Sequence, residues 1–325
     1  MQEWSEPMRL DRRSFSAALL ATAAAPSLAL ADAPLVAITA IVEHPALDAC
    51  RDGVIEGLKQ QGIAAETTYE SAQGQPATAA QIARSFVGMN PAVIVPISTP
   101  SAQAAAAATK AIPIVFTAVT DPVDAGLVAS MEKPGGNVTG LSDLSPLSQH
   151  LDLILEITPD VKRLGFPYNP GEANAVVLLN LMRDLAEQRG IEVVEATASK
   201  SADVVAAARS LTGQADAIYV PTDNTVVSAL ESLIAVARQA KVPVYCGDTD
   251  SVARGCIGSV GFDYFQVGVQ TAAIVARILK GESPGEIAIE SASGTDLYLN
   301  PTAAEAFGIT LSDELLSRAT KIVGA

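Results

Sequence analysis

The chain has 325 residues, 49% hydrophobic and 18% charged, with a formal net charge of −15. That composition is globular and long enough for two domains or one large one; near-average Gly and Pro with no low-complexity tract exclude extensive disorder. An acidic chain without a basic cluster excludes ordinary nucleic-acid binding, which needs Lys and Arg to meet phosphates, but surface acids also serve solubility and imply no cationic ligand.

The first residues read as an export signal. Arg9, Arg12 and Arg13 make a basic start, residues 17–30 a short apolar run, and Ala29-Leu30-Ala31 the small residues a signal peptidase needs. The run is too short and Ala-rich to span a membrane well. Residues 1–31 are therefore expected to be removed, with cleavage after Ala31, because Pro34 disfavours a cut after Ala33. Arg12-Arg13-Ser14-Phe15 resembles a twin-arginine signal, although Asp11 stands where Ser or Thr is usual; an ordinary secretory signal stays open. Either route places the mature protein outside the cytoplasm, in the periplasm. Glu3, Glu6 and Asp11 balance the three arginines, so the mature chain keeps −15, and Trp4, the only tryptophan, leaves with the signal.

From Pro34 onward, apolar runs alternate with helical periodicity. "PLVAITAIV" predicts a strand, and Leu47, Cys50, Val54 and Leu58 mark one helix face that Gly62 ends. "AAETTYE" predicts a strand, residues 77–89 a helix, "AVIVPI" a strand, residues 102–110 a helix, and "IPIVFTAV" a fourth strand. "GNVTGLSDLSP" reads as a crossover between lobes. The second half then repeats the order: "VKRLGFPYN", a helix over 174–189, "IEVVEAT", a helix over 202–211, "ADAIYVP", a helix over 224–240, and "VPVYCGD". A long helix follows "GCIGSVGF", after which the chain returns in short segments. Strands apolar throughout, alternating with helices, predict parallel sheets covered on both faces.

Details repeat as well. Pro96 matches Pro221, Ile112-Pro113-Ile114 matches Val242-Pro243-Val244, and Thr120-Asp121 matches Thr249-Asp250, at offsets of 125, 130 and 129. Generic βα units share prolines, but three matches in order point to a duplicated architecture. The expectation is an α/β fold of two lobes, residues 34–141 plus about 262–285 and residues 146–260 plus about 286–325, joined by a multi-segment hinge. Ligands of parallel α/β sheets bind beyond the strands' carboxyl ends. Two facing lobes put several polar strand-end loops around one cleft: Glu43-His44, 98–101, 117–121, 169–174, Thr222-Asp223-Asn224 and 247–250.

At these residues the chain resembles a known family. "VEHPALDACRDG", "ISTPSAQ", "IPIVFTAVTDPV", "KPGGNVTG", "YNPGEANA", "YVPTDNTVVSA" and "GDTDSVARG" are similar to the periplasmic substrate-binding proteins of ABC importers, in the branch whose characterised members bind aromatic or other apolar amino acids. The resemblance spans almost all of the mature chain. It implies a periplasmic-binding-protein-like fold that closes on a small solute, and a membrane permease and ATPase as partners. A monomer is expected, with no cofactor and no nucleic acid.

For an amino-acid zwitterion, the carboxylate suits helix-start N–H groups aided by Ser98, Thr99 and Ser101, residues that also serve as plain caps. The ammonium needs a carboxylate; Asp248, directly after its strand, is the first choice, ahead of Asp223, Asp250 and Asp121, the first two of which also suit helix caps. Glu43, His44, Thr117, Asn169, Asn174 and Thr222 complete the expected polar lining, with Phe116 and Tyr168 as walls. Catalysis finds little support: two His 106 positions apart have no zinc spacing, "IGSVG" has Ile257 where a nucleophile elbow needs Gly, and no phosphate-loop glycine pattern occurs. An enzyme and a ligand-presenting partner of a membrane sensor are the other readings. Of Cys50, Cys246 and Cys256, the first fits a core helix face and the other two are open to pairing. N-terminal sequencing of the exported protein should begin at Asp32; a mature chain that retains Arg12-Arg13 would overturn the signal reading.

Overall fold

The computed structural model describes residue 2 and residues 33–324, so the export-signal reading, the cut after Ala31 and Trp4 lie outside the described residues. The first lobe begins with β1 (Leu35–Ala40), α1 (Pro45–Gln60), β2 (Glu66–Ser71), α2 (Pro76–Met89), β3 (Val93–Ile97), α3 (Thr99–Ala108), β4 (Ile114–Val119) and β5 (Val138–Ser142). The chain then builds α4 (Leu147–Ile157), β6 (Arg163–Tyr168), α5 (Ala173–Glu187), β7 (Glu192–Thr197), α6 (Val204–Thr212), β8 (Ala217–Val220), α7 (Asn224–Ser228), α8 (Leu230–Ala240), β9 (Val244–Cys246), α9 (Asp250–Ala253) and β10 (Gly258–Gly261). It closes with α10 (Tyr264–Leu279), β11 (Glu290–Ser291), β12 (Asp296–Leu299), α11 (Pro301–Phe307), α12 (Asp313–Arg318) and β13 (Lys321–Ile322).

Two parallel sheets carry the lobes. The first runs β11-β5-β4-β3-β1-β2 and the second β7-β6-β8-β9, while β10, β12 and β13 form a small third sheet. Every residue of β3, β4, β5 and β8 is buried, as continuous apolar runs covered on both faces require. The order β2-β1-β3-β4 in the first lobe recurs as β7-β6-β8-β9 in the second, so the repeated motifs occupy equivalent places. Pro113 O accepts from Ile94 N at 2.9 Å, and Pro243 O accepts from Ile218 N at 2.8 Å. Both prolines stand just before a strand, where a missing N–H removes no ladder bond.

The chain crosses between lobes three times, at residues 142–147, 261–264 and 291–296. The last crossing comes later than residue 286, where the sequence placed it, because Glu290–Ser291 still pair with Leu141–Ser142 of the first sheet. The expected helix over 224–240 is two helices. Ala229 (φ −120°, ψ 24°) breaks it, separating the short α7 from α8, which buries Leu230, Leu233, Ile234 and Ala237 in the second lobe. All three cysteines are free and buried.

Helix α10 returns the chain to the first lobe and packs against α1 at backbone contact. A Cβ on Gly268 would lie 2.0 Å from Cys50 O and 2.7 Å from Val54 N, and one on Gly53 would lie 2.0 Å from Phe265 O. Only glycine fits there, and no side-chain movement relieves a clash with backbone. Gly268→Ala is expected to cost at least about 2 kcal/mol of stability as an overpacked core position, read by denaturant or thermal unfolding. Gly88→Ala is the control, since nothing lies within 4 Å of its added Cβ on α2; it should leave stability unchanged or raise it by up to about 1 kcal/mol.

Candidate functional site

The carboxyl ends of both sheets face one cavity between the lobes. The first lobe lines it with His44, Ala46 and Leu47 at the start of α1, Ser98 before α3, and Ala118 and Thr120 around the end of β4. The crossings add Asp143 and Tyr264. The second lobe adds Asn174, Thr222, Asn224, Val227 and Asp248.

Two carboxylates and no Lys or Arg face this space. Asp143 is held by its own N–H to Val119 O at 3.1 Å, and its Oδ2 accepts from Tyr264 OH at 2.7 Å. Its Oδ1 is buried with no partner in the protein. Burial pushes the Asp143 carboxyl up to about 6, although the Tyr264 bond favours the ionised form. Asp248 is bonded differently: Oδ1 accepts from Ser251 N at 2.7 Å and Oδ2 from Ser251 Oγ at 2.6 Å, while burial raises its pKa.

His44 keeps part of its surface exposed, yet desolvation by burial, and then the Arg254 charge, push its pKa down to about 3. Its ring is therefore neutral, and Nδ1 is buried without a partner. Ser98 (φ 83°) and Ala118 (φ 52°) are non-glycine residues in the left-handed region, a backbone conformation that costs on the order of 1–3 kcal/mol each. Both line the cavity, and Ser98 Oγ has no protein partner. Thr99 and Ser101, in the first turn of α3, are buried with free hydroxyls as well.

Of the residues expected from sequence, His44, Ser98, Asn174, Thr222 and Asp248 meet at the cavity. Thr99 and Ser101 stand behind Ser98 and do not line it. The others have different work. Glu43 is exposed outside it. Phe116 belongs to the first core, its ring against Gly140, where a Cβ would lie 2.6 Å from it. Thr117 Oγ1 contacts Cys50 Sγ at 3.3 Å and Thr271 Oγ1 at 2.8 Å, joining β4 to α1 and α10. Tyr168 donates to Glu195 at the strand edge.

Asp223 is a structural cap: Oδ1 accepts from Val226 N at 2.8 Å and Oδ2 from Asn169 N at 2.6 Å. Asn169 lies with Gly171 and Glu172 in a separate groove along the outer seam of the lobes. Sequence reasoning passed over Asp143 and Tyr264. The available signal was their position, since each lies in a segment that crosses between lobes and so must border the cleft. Asn224 and Thr120 lay in the polar strand-end loops without being singled out.

A family model described as ABC transporter substrate binding protein matches residues 35–323. The chain belongs to this family. A tyrosine-binding protein of Clostridioides difficile (strain R20291) is 39% identical over 275 residues, covering 83% of this chain and 80% of the relative. A Streptococcus pneumonia ABC domain in complex with L-Trp is 31% identical with a TM-score of 0.87, covering 89% of this chain and 99% of that one. A ligand-free, open substrate-binding protein with adhesive properties from Clostridium difficile is 35% identical, covers 90% and 100%, and has a TM-score of only 0.68. This chain superposes more closely on the L-Trp complex than on the ligand-free, open chain.

Among the described residues, no helix is long and apolar enough to cross a membrane, and no group of three or more His, Cys, Asp or Glu is placed to hold a metal ion. The second histidine, His150, is buried in the second lobe with Nδ1 2.8 Å from Tyr219 OH and Nε2 bonded to Val260 O; burial pushes it down to about 4. With only two histidines in the chain, ring-proton NMR can follow both. His150 should stay neutral to about pH 5 in either state of the lobes. His44 should stay neutral in the closed form and return toward the ordinary value of about 6.5 when the lobes part; an unshifted His44 in the closed form would count against its burial there.

Proposed function

We propose that this substrate-binding protein captures an aromatic amino acid outside the cytoplasm and delivers it to an ABC permease and its ATPase. The observation that carries the reading is Asp143: a buried carboxylate with one free oxygen, in a cavity with no lining cation. The ligand ammonium donates to Asp143 Oδ1, with Asp248 the second carboxylate facing the same space. The ligand carboxylate takes Ser98 Oγ and the N-terminal end of α3, whose free N–H groups and dipole favour an anion. Ala46, Leu47, Ala118 and Val227 supply apolar wall for the side chain. Relatives that bind tyrosine and L-Trp support the ligand class. Export through residues 1–31, with cleavage after Ala31 into the periplasm, is part of the same proposal. So is action as a monomer that binds without turnover.

Calorimetry against the common amino acids tests the ligand class; absence of heat and of any thermal shift with every one would overturn it. Removing one member of a buried charged pair costs about 2–5 kcal/mol, so Asp143→Asn should weaken binding by roughly thirtyfold or more. The ammonium prefers the ionised carboxylate. Because the free-protein Asp143 pKa is raised to about 6, affinity should hold above pH 6 and fall toward tenfold per pH unit below it. Affinity flat between pH 7 and 5 would remove Asp143 from the ammonium site.

A further inference from the structure

The polar atoms facing the cavity fall into two groups at different ends. Asp143 and Tyr264 stand at the hinge end, on two crossing segments. His44, Asn174, Thr222 and Asn224 stand at the outer end, and Asn224 also borders the groove along the outer seam. The first sheet gives the scale. Asp143 directly follows β5 and His44 lies in the loop after β1, three strands away in the order β5-β4-β3-β1, about 14 Å at roughly 4.8 Å per strand.

Hydrogen bonds fix what the outer group offers. The Glu172 carboxylate accepts from Asn224 Nδ2 at 2.6 Å and from Asn174 Nδ2 at 3.4 Å, and Thr222 O accepts from Asn174 Nδ2 at 2.9 Å. An amide held by its nitrogen turns its oxygen the other way. Asn174 Oδ1 is accordingly buried without a protein partner. Asn224 borders the same space. The His44 ring is neutral, and its Nδ1 is likewise buried and unpartnered, an acceptor when the ring proton sits on Nε2. Thr222 Oγ1, beside them, is a third unpartnered atom.

We propose that His44 Nδ1 and Asn174 Oδ1 select an amino acid whose side chain carries a hydrogen-bond donor, a phenol O–H or an indole N–H, over the hydrocarbon side chain of phenylalanine. This rests on the amino-acid reading above. The ligand ammonium is committed to Asp143 at the far end and cannot serve these acceptors. A hydrocarbon tip buries them unmet, and sites built to bond a polar tip reject analogues that lack it far more strongly than apolar pockets reject a missing methylene.

Calorimetry of the exported protein with L-tyrosine, L-tryptophan and L-phenylalanine tests this directly. At least one of the first two should bind about tenfold or more tighter than phenylalanine. His44→Leu should collapse that ratio to within about threefold, by weakening the donor-bearing ligand and sparing phenylalanine. Phenylalanine binding within about threefold of both others to the unaltered protein overturns the proposal while leaving the amino-acid reading intact; so does a ratio unchanged by His44→Leu. If none of the three binds, the amino-acid reading falls and this proposal with it. Should His44→Leu fail to fold, the ligand series on the unaltered protein still decides.

Discussion

The crossing of α1 over α10 at backbone contact is the constraint on which the rest of the molecule depends. Gly53, Gly57 and Gly268 remove the Cβ atoms that would hold the helices apart, and the two axes settle closer than ordinary side chains allow. Each helix begins at the cavity, α1 after His44 and α10 with Tyr264. The depth of this contact therefore sets where the His44 ring stands and where the Tyr264 hydroxyl meets Asp143. It also makes the first lobe discontinuous. Phe262, Val267, Ile274 and Ile278 belong to the same core as Val36 and Ile38, so that core closes only after most of the second lobe, residues 147–261, has been threaded between them. Long-range closure of this kind slows folding, because loop entropy is lost before the contacts form.

Electrostatics at the cleft follow from what the two sheets bring to their carboxyl ends. Asp143 and Asp248 are taken out of water with no cation in the lining to offset them, and burial raises both. Such a site favours a ligand that carries its own positive charge. The acids elsewhere in the same loops are already spent within the protein. Asp223 ties α7 to the Asn169 loop, and Glu172 accepts from Asn224 N, Asn224 Nδ2, Thr225 N and Thr225 Oγ1. This network makes the second lobe's face a rigid, pre-aimed surface, as does the strained backbone at Ser98 and Ala118 on the opposite face. Preorganised donors and acceptors lose little freedom when a ligand arrives, which is how a small cavity reaches useful affinity.

Much of this was legible in the sequence. Continuous apolar runs identified the buried strands, since only a doubly covered parallel sheet tolerates them, and Pro113 and Pro243 marked the repeat because proline suits the same strand-start position in both lobes. Family motifs led to the same loops that the cavity draws on. The break at Ala229 was not legible, because residues 224–240 keep helical periodicity through it. Nor was the late third crossing, since Glu290–Ser291 is too short a strand to carry a pattern.

What the sequence by itself determined was the set of polar residues delivered to the cleft edge: periodicity and strand ends are local properties, and they place Ser98, Asn174, Thr222 and Asp248 there without reference to the rest of the chain. Which of those atoms remain free to act was decided only by the tertiary structure. A carboxylate's availability depends on what packs against it from elsewhere: Ser251 takes up Asp248, Asn169 and Val226 take up Asp223, and Asp143 keeps one oxygen open because its neighbour across the hinge, Tyr264, offers a single O–H. Phe116 and Tyr168 show the same limit for aromatics, since one strand-end ring turned into a core against Gly140 and the other toward Glu195. Hydrogen-bond saturation joins segments far apart in the chain, such as Tyr264 and Asp143, 121 residues apart, and no local pattern encodes it.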